Sequence, residues 1–145
     1  LEAIRRLGAA GVPTGVMVAP VIPALTDHEI EAILEAARDA GATHAAWIML
    51  RLPREVRDLF AEWLAEETPD RARRILHRIE AVRGGRLNDP RFGARMRGDG
   101  LFAELVARRF RLAVQRLGLV TRPPTLDCTR FTVAPKSPQQ LDLNL

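Results

Sequence analysis

Apolar positions along the first half of the chain follow helical and strand periods in turn. Leu1, Ile4 and Leu7 predict the end of an amphipathic helix, stopped by Gly11. Thr14 to Ala19, rich in valine, reads as a strand. It runs into Pro20 and Pro23 and then switches abruptly to Thr26-Asp27-His28-Glu29. Thr26 and Glu29 have the spacing of a capping box, in which each side chain satisfies a free backbone N–H at a helix start. The helix that follows is expected to bury Ile30, Ile33, Leu34 and Ala37 and to stop at Gly41. His44 to Leu50, HAAWIML, is a short continuous apolar run, as expected of a strand buried on both faces. Pro53 is expected to open a helix carrying Val56, Leu59, Phe60, Trp63 and Leu64.

This order, helix–strand–helix–strand–helix with short links, predicts an α/β fold whose strands run parallel through right-handed crossovers. Two strands do not make a stable sheet of this kind, so the remaining strands are expected upstream of Leu1 or in a partner chain. A start without methionine, inside a helical pattern, also suggests a piece of a longer protein. After residue 67 only helices are predicted. Thr68 as N-cap, Pro69 at the first helical position and Asp70 start one that buries Ile75, Leu76, Ile79 and Val82 and ends at Gly84-Gly85. RLNDPRFGARMRGDG reads as a loop, and Leu101 to Leu117 as a helix with Leu105, Val106, Phe110 and Ala113 inward. The expected organisation is therefore 1–67, a helical extension over 68–118, and an irregular, proline-containing tail over 119–145.

Charge refines this division. Residues 1–50 carry three arginines against six acidic residues, and residues 71–116 carry thirteen against four. Lys136 is the only lysine beside 21 arginines, as coding bias in a GC-rich genome would produce. Such a bias does not explain the clustering. An arginine-rich half suits a polyanion or phosphate partner, or serves as a solvated face. Arg71, Arg74 and Arg78, on one side of a helix, are the candidate nucleic-acid contacts. No apolar run spans a membrane. Cys128 is the single cysteine, which excludes a disulfide framework and a CxxC metal site in these residues and makes a reducing cytoplasm the expected compartment.

In parallel α/β proteins ligands gather outside the carboxyl ends of the strands. The first strand ends in Ala19-Pro20-Val21-Ile22-Pro23, where prolines remove donors and present a flat apolar wall to a planar ring, or simply aim the next helix. The second ends in Leu50-Arg51-Leu52-Pro53, where Arg51 could meet an anionic group or a structural carboxylate. His28, His44 and His77 lack metal-ligand spacing, and no Walker, GxSxG or GxGxxG pattern occurs.

With those residues in view, the stretch from GVPTGVMVAPVIPALTDHEIEAIL to HAAWIMLRLPREVRDLFAEWL resembles the last two β/α units of radical S-adenosylmethionine proteins of the spore photolyase-like group. RFGARMRGDG and the arginine-rich helix after it resemble that group's C-terminal extension, and the likeness covers about residues 1–118. The resemblance implies the last two β/α units of a partial (β/α)6 TIM-like barrel with its N-terminal portion missing. It also implies a [4Fe–4S] cluster and S-adenosylmethionine cleaved to a 5′-deoxyadenosyl radical, with DNA as a candidate substrate. It places Val18, Ala19, Pro20, Val21 and Ile22 on the cofactor's adenosyl part, with Leu50, Arg51 and Leu52 contributing from the next strand. The family's CxxxCxxC motif is absent here, so no residue is assigned as a cluster ligand. The alternatives are a non-enzymatic nucleic-acid-binding module and another phosphate-handling β/α barrel.

If the basic half contacts nucleic acid, binding should weaken steeply with salt as counterions are released. Glutamine at Arg71, Arg74 and Arg78 together should lower the affinity and flatten the log–log salt slope by up to about 3. Equal slopes in a fluorescence-anisotropy titration would return these arginines to the solvated face.

Overall fold

A computed structural model describes residues 1–125 and 127–133. Six α-helices and a two-stranded sheet occur among the described residues: α1 (Glu2–Ala9), β1 (Gly15–Val21), α2 (Ile30–Asp39), β2 (His44–Met49), α3 (Val56–Glu67), α4 (Pro69–Ala81), α5 (Ala94–Arg97) and α6 (Gly100–Arg116). The strands are parallel and adjacent, with Gly15 opposite His44 and Val18 opposite Trp47. The fold is thus mixed α/β with a parallel pair, as the connecting helix requires. No helix among the described residues is long and apolar enough to cross a membrane. Lys136, Pro135 and Pro138 of the expected irregular tail lie outside the described residues.

Two apolar clusters divide the interior. The first joins the sheet to α2 and α6, through Val18, Val21, Ile30, Leu34, Trp47, Met49, Val106 and Phe110. The second lies beyond the strand ends, where Leu50 and Leu52 meet Leu64 of α3 and Ile75 and Ile79 of α4.

Arg83 sits at the junction between them. It is 1% exposed, and no carboxylate pairs with it among the described residues. Its Nη1 donates to the carbonyls of Ala94 and Arg95, each at 2.9 Å. Its Nη2 donates to those of Met49 (3.2 Å) and Leu50 (2.5 Å). One guanidinium therefore satisfies four carbonyl groups and ties the end of β2 to α5. Burial pulls its pKa down, against the pull of Asp89, and its ordinary value is high enough that it stays charged at neutral pH. Gly98 lets the following loop come close: its φ is 77°, its would-be Cβ lies 2.9 Å from the Val82 carbonyl oxygen, and the same carbonyl accepts from Asp99 N–H at 3.0 Å.

Several expectations are corrected. The capping box does not form. Thr26 Oγ1 instead accepts from the Ile22 N–H at 3.0 Å, and a 3-10 turn, Asp27–Glu29, precedes α2. Closing the turn that follows the proline-flanked strand end takes the hydroxyl the cap would have used. Ile33 is exposed, because α2 buries the narrower stripe Ile30, Leu34, Ala37. β2 is buried on one face only: Ala45, Trp47 and Met49 are covered, while His44, Ala46 and Ile48 are partly open. Ile48, on the open face, lines a hollow with Met96 of α5 rather than packing into a core.

Pro53 does not open α3, which begins three residues later. There Val56, Leu59 and Trp63 are exposed and only Leu64 is buried, because α4 is the one helix packed along it. Thr68 N-caps α4 by position, but its hydroxyl donates back to the Leu64 carbonyl. Leu76 is half-buried, Leu105 is exposed, and the loop before α6 contains the one-turn α5.

Arg83→Met keeps most of the volume and removes every one of these donors. It is expected to cost about 2–4 kcal/mol, measured by the urea midpoint of unfolding, because buried carbonyls are left unpaired. An unchanged midpoint would show that the junction does not depend on the guanidinium.

Candidate functional site

The ladder between the strands slips just where β1 meets its prolines. Val18 faces Trp47 and Val21 faces Met49, so three steps on β1 run against two on β2. The extra residue is a bulge, which re-aims the side chains next to it. Pro20 has no N–H to lose from the ladder, and it sits inside this irregularity. Ala19 and Pro20 are consequently exposed, although Val18 and Val21 on either side are buried. The pairing resumes where Leu50 N–H donates to the Val21 carbonyl at 2.9 Å.

Beside the bulge, at the carboxyl ends of both strands, lies a pocket of about 370 Å³. Ala19 and Pro20 form one wall, Ile48, Met49 and Leu50 another, and Met96 of α5 a third. Arg51 supplies the charge. Its Nε is buried without a hydrogen-bond partner, and it makes no ion pair among the described residues. The structural carboxylate considered for Arg51 is thus not found there. A largely apolar pocket with one unspent guanidinium suits a ligand with a flat apolar body and an anionic group.

Four of the eight residues singled out from the strand ends, Ala19, Pro20, Leu50 and Arg51, meet at this pocket. Val18 and Val21 are in the first core, and Ile22 and Leu52 pack with the second. Met96 and Ile48 were not anticipated. Met96 lies far from Arg51 in sequence, and tertiary contacts, Arg83 to the Ala94 and Arg95 carbonyls and Arg97 over the Trp47 ring, bring α5 to the strand ends.

The arginines of α4 separate in role. Arg71 Nη2 donates to the Ala24 carbonyl at 2.5 Å, and Arg78 lies 5.0 Å from the centroid of the Phe102 ring. Arg74 is exposed. Arg109 of α6 grips Glu31 of α2 through Nε (2.8 Å) and Nη2 (2.6 Å). That hydrogen-bonded pairing holds the Glu31 carboxyl below its ordinary range.

His28 and His77 are exposed, and the His44 ring meets the Thr43 hydroxyl at 3.2 Å. Cys128 is exposed, and no group of three His, Cys, Asp or Glu side chains able to hold a metal occurs among the described residues. A second hollow, about 630 Å³, follows the outer edge of β2. Arg97 lies there 4.6 Å from the centroid of the Trp47 ring, and Asp99, Glu104 and Arg111 ring the opening.

The fold and site define a mixed α/β chain with a pocket at the carboxyl ends of two parallel strands. No protein-family model matches it, and neither a curated protein nor a solved structure matches it.

Asp89 holds the loop over the site. Its carboxylate accepts from the Arg91 backbone N–H (3.0 Å) and from Arg91 Nε and Nη2, and Arg91 reaches on to Asp99 at 3.0 Å. Those bonds favour the charged form and lower its pKa to about 2 from 3.8. A lowered value means the contribution is full above the ordinary pKa and is lost as pH falls through about 2. The Arg91 Nε–H resonance should therefore stay in its neutral-pH position down to about pH 4 and shift below it. Asp89→Asn should abolish that titration. A wild-type resonance unchanged down to pH 2 would refute the pairing.

Proposed function

We propose that this chain is the C-terminal portion of a radical S-adenosylmethionine iron–sulfur enzyme of the spore photolyase-like group, helping to bind the cofactor and a substrate. The observation that carries the reading is the meeting of Ala19-Pro20 with Leu50-Arg51 in one pocket at the strand ends, with the Arg51 Nε unpartnered.

The residues present fit the organic cofactor. Ala19, Pro20, Ile48 and Met96 would receive a planar, largely apolar ring, and Arg51 would hold an anionic group. When bound, S-adenosylmethionine and a reduced cluster supply the radical chemistry, and the protein's part is positioning and exclusion of water. The residues present do not fit the cluster. Several thiolates are needed, and this chain contains one cysteine. In this reading the cluster ligands and the remaining barrel strands come from outside the 145 residues. The free edge of β1, where Met17 is 58% exposed, would receive the next strand.

The runner-up is a non-enzymatic nucleic-acid-binding module. It has less support, because Arg71 and Arg78 are engaged within the chain.

The test uses the full-length protein, reconstituted with iron and sulfide without oxygen. Arg51→Ala should lower 5′-deoxyadenosine production at least about tenfold at equal iron content, the loss of a charge-assisted contact. Ala19→Asp should raise the S-adenosylmethionine concentration needed for half-saturation. Ile22→Asp, in contrast, should lower thermal stability first, since Ile22 packs against the second core. Undiminished production in both pocket variants would remove the site assignment. A full-length protein that neither holds iron nor makes 5′-deoxyadenosine would remove the family reading.

A further inference from the structure

A third hollow, about 470 Å³, lies between the start of α3 and the end of α4, with Leu52 in its lining. Three arginines line it, Arg54, Arg57 and Arg86, with Glu80 as the one carboxylate of the lining. Arg54 and Arg86 form no ion pair among the described residues. Arg57 is held by Asp58 through Nε at 2.9 Å, which leaves its Nη1 and Nη2 uncommitted.

Other features of the lining bear on what could sit there. Arg54 has a φ of 48°, in the left-handed region that a residue with a Cβ adopts at an energetic penalty. Arg54 precedes the twelve-residue α3 and Arg57 lies in its first turn, where the helix dipole is positive and a cation is disfavoured, and Asp58 in the same turn offsets part of that. A bound anion would add to the offset that Asp58 already gives. Asn88 Oδ1, also in the lining, is buried with no donor among the described residues. It is an acceptor waiting for a hydroxyl, or for the hydroxyl of a ligand. Leu52 and Leu87 are the apolar members of the lining.

We propose that this hollow is a phosphate site. Arg54 and Arg86 hold phosphate oxygens from two sides, and the free Nη groups of Arg57 add a third donor. Asn88 accepts from a hydroxyl carried by the phosphate or by its ester group. Glu80 cancels one of the three cations, so the site retains an excess of positive charge. The inference stands independently of the radical-enzyme reading, because it uses none of the strand-end pocket residues.

Isothermal titration of the full chain tests it, with inorganic phosphate, ribose 5-phosphate and ribose as probes. Saturable binding of phosphate, one per chain, is expected. Arg54→Gln with Arg86→Gln should weaken it at least about tenfold, through loss of two charge-assisted contacts, while Arg108→Gln on α6 should leave it unchanged. If the double variant melts early, Arg86→Lys keeps the charge, loses the fork and should give a smaller weakening. Ribose 5-phosphate binding more tightly than phosphate identifies an esterified phosphate as the occupant, and equal binding identifies free phosphate. No saturable binding of either phosphate probe, ribose binding as well as ribose 5-phosphate, or equal weakening by Arg108→Gln would overturn the proposal.

Discussion

A single buried cation holds this structure together at its weakest point. The two-stranded sheet ends at Met49, and the chain then leaves one apolar cluster for the other through Leu50 and Leu52. Strand-end carbonyls buried at such a crossing have no ladder partner, and an unpaired buried carbonyl is costly. Arg83 meets the need with a rigid fork of donors that reaches the strand end on one side and α5 on the other. Burying it without a carboxylate is possible because four carbonyl dipoles surround it, with Asp89 acting at longer range.

That contact helps to place α5, and with it one side of the pocket. Met96 closes the strand-end cavity from a helical turn tied down by Arg83 and by Arg97 over the Trp47 ring. The opposite wall depends on the bulge in β1, which turns Ala19 and Pro20 outward between two buried valines. Site and scaffold are coupled through backbone irregularities, a common association in proteins.

Arginine serves at least three physical roles here. Arg83 is a structural donor, Arg109 is a paired clamp between α6 and α2, and Arg97 and Arg78 lie over aromatic rings. Arg51, Arg54 and Arg86 fall outside these roles, with no carboxylate partner among the described residues. Clustering by sequence position could not separate the roles. Arg71 and Arg78 share a helical face with Arg74, yet only tertiary packing decides which of them is engaged within the chain.

The alternation of periods in the sequence determined five of the six helices, the two strands and their parallel pairing, because burying one stripe or one run needs only local spacing and a connector too long for a hairpin. It also located the strand ends as the place for chemistry, through two prolines and one arginine. What it did not determine was which of those neighbours face the pocket. A one-residue bulge flips alternate side chains; Pro20, which lacks an N–H, hints at such an irregularity, but its presence alone does not say which neighbours turn outward. Nor could it show that Thr26 would close a turn rather than cap a helix, since one hydroxyl satisfies either donor. Met96 and Arg83 reach β2 from 34 or more positions away. Contacts of that separation depend on how two apolar clusters pack, a property of the assembled chain and not of any segment within it.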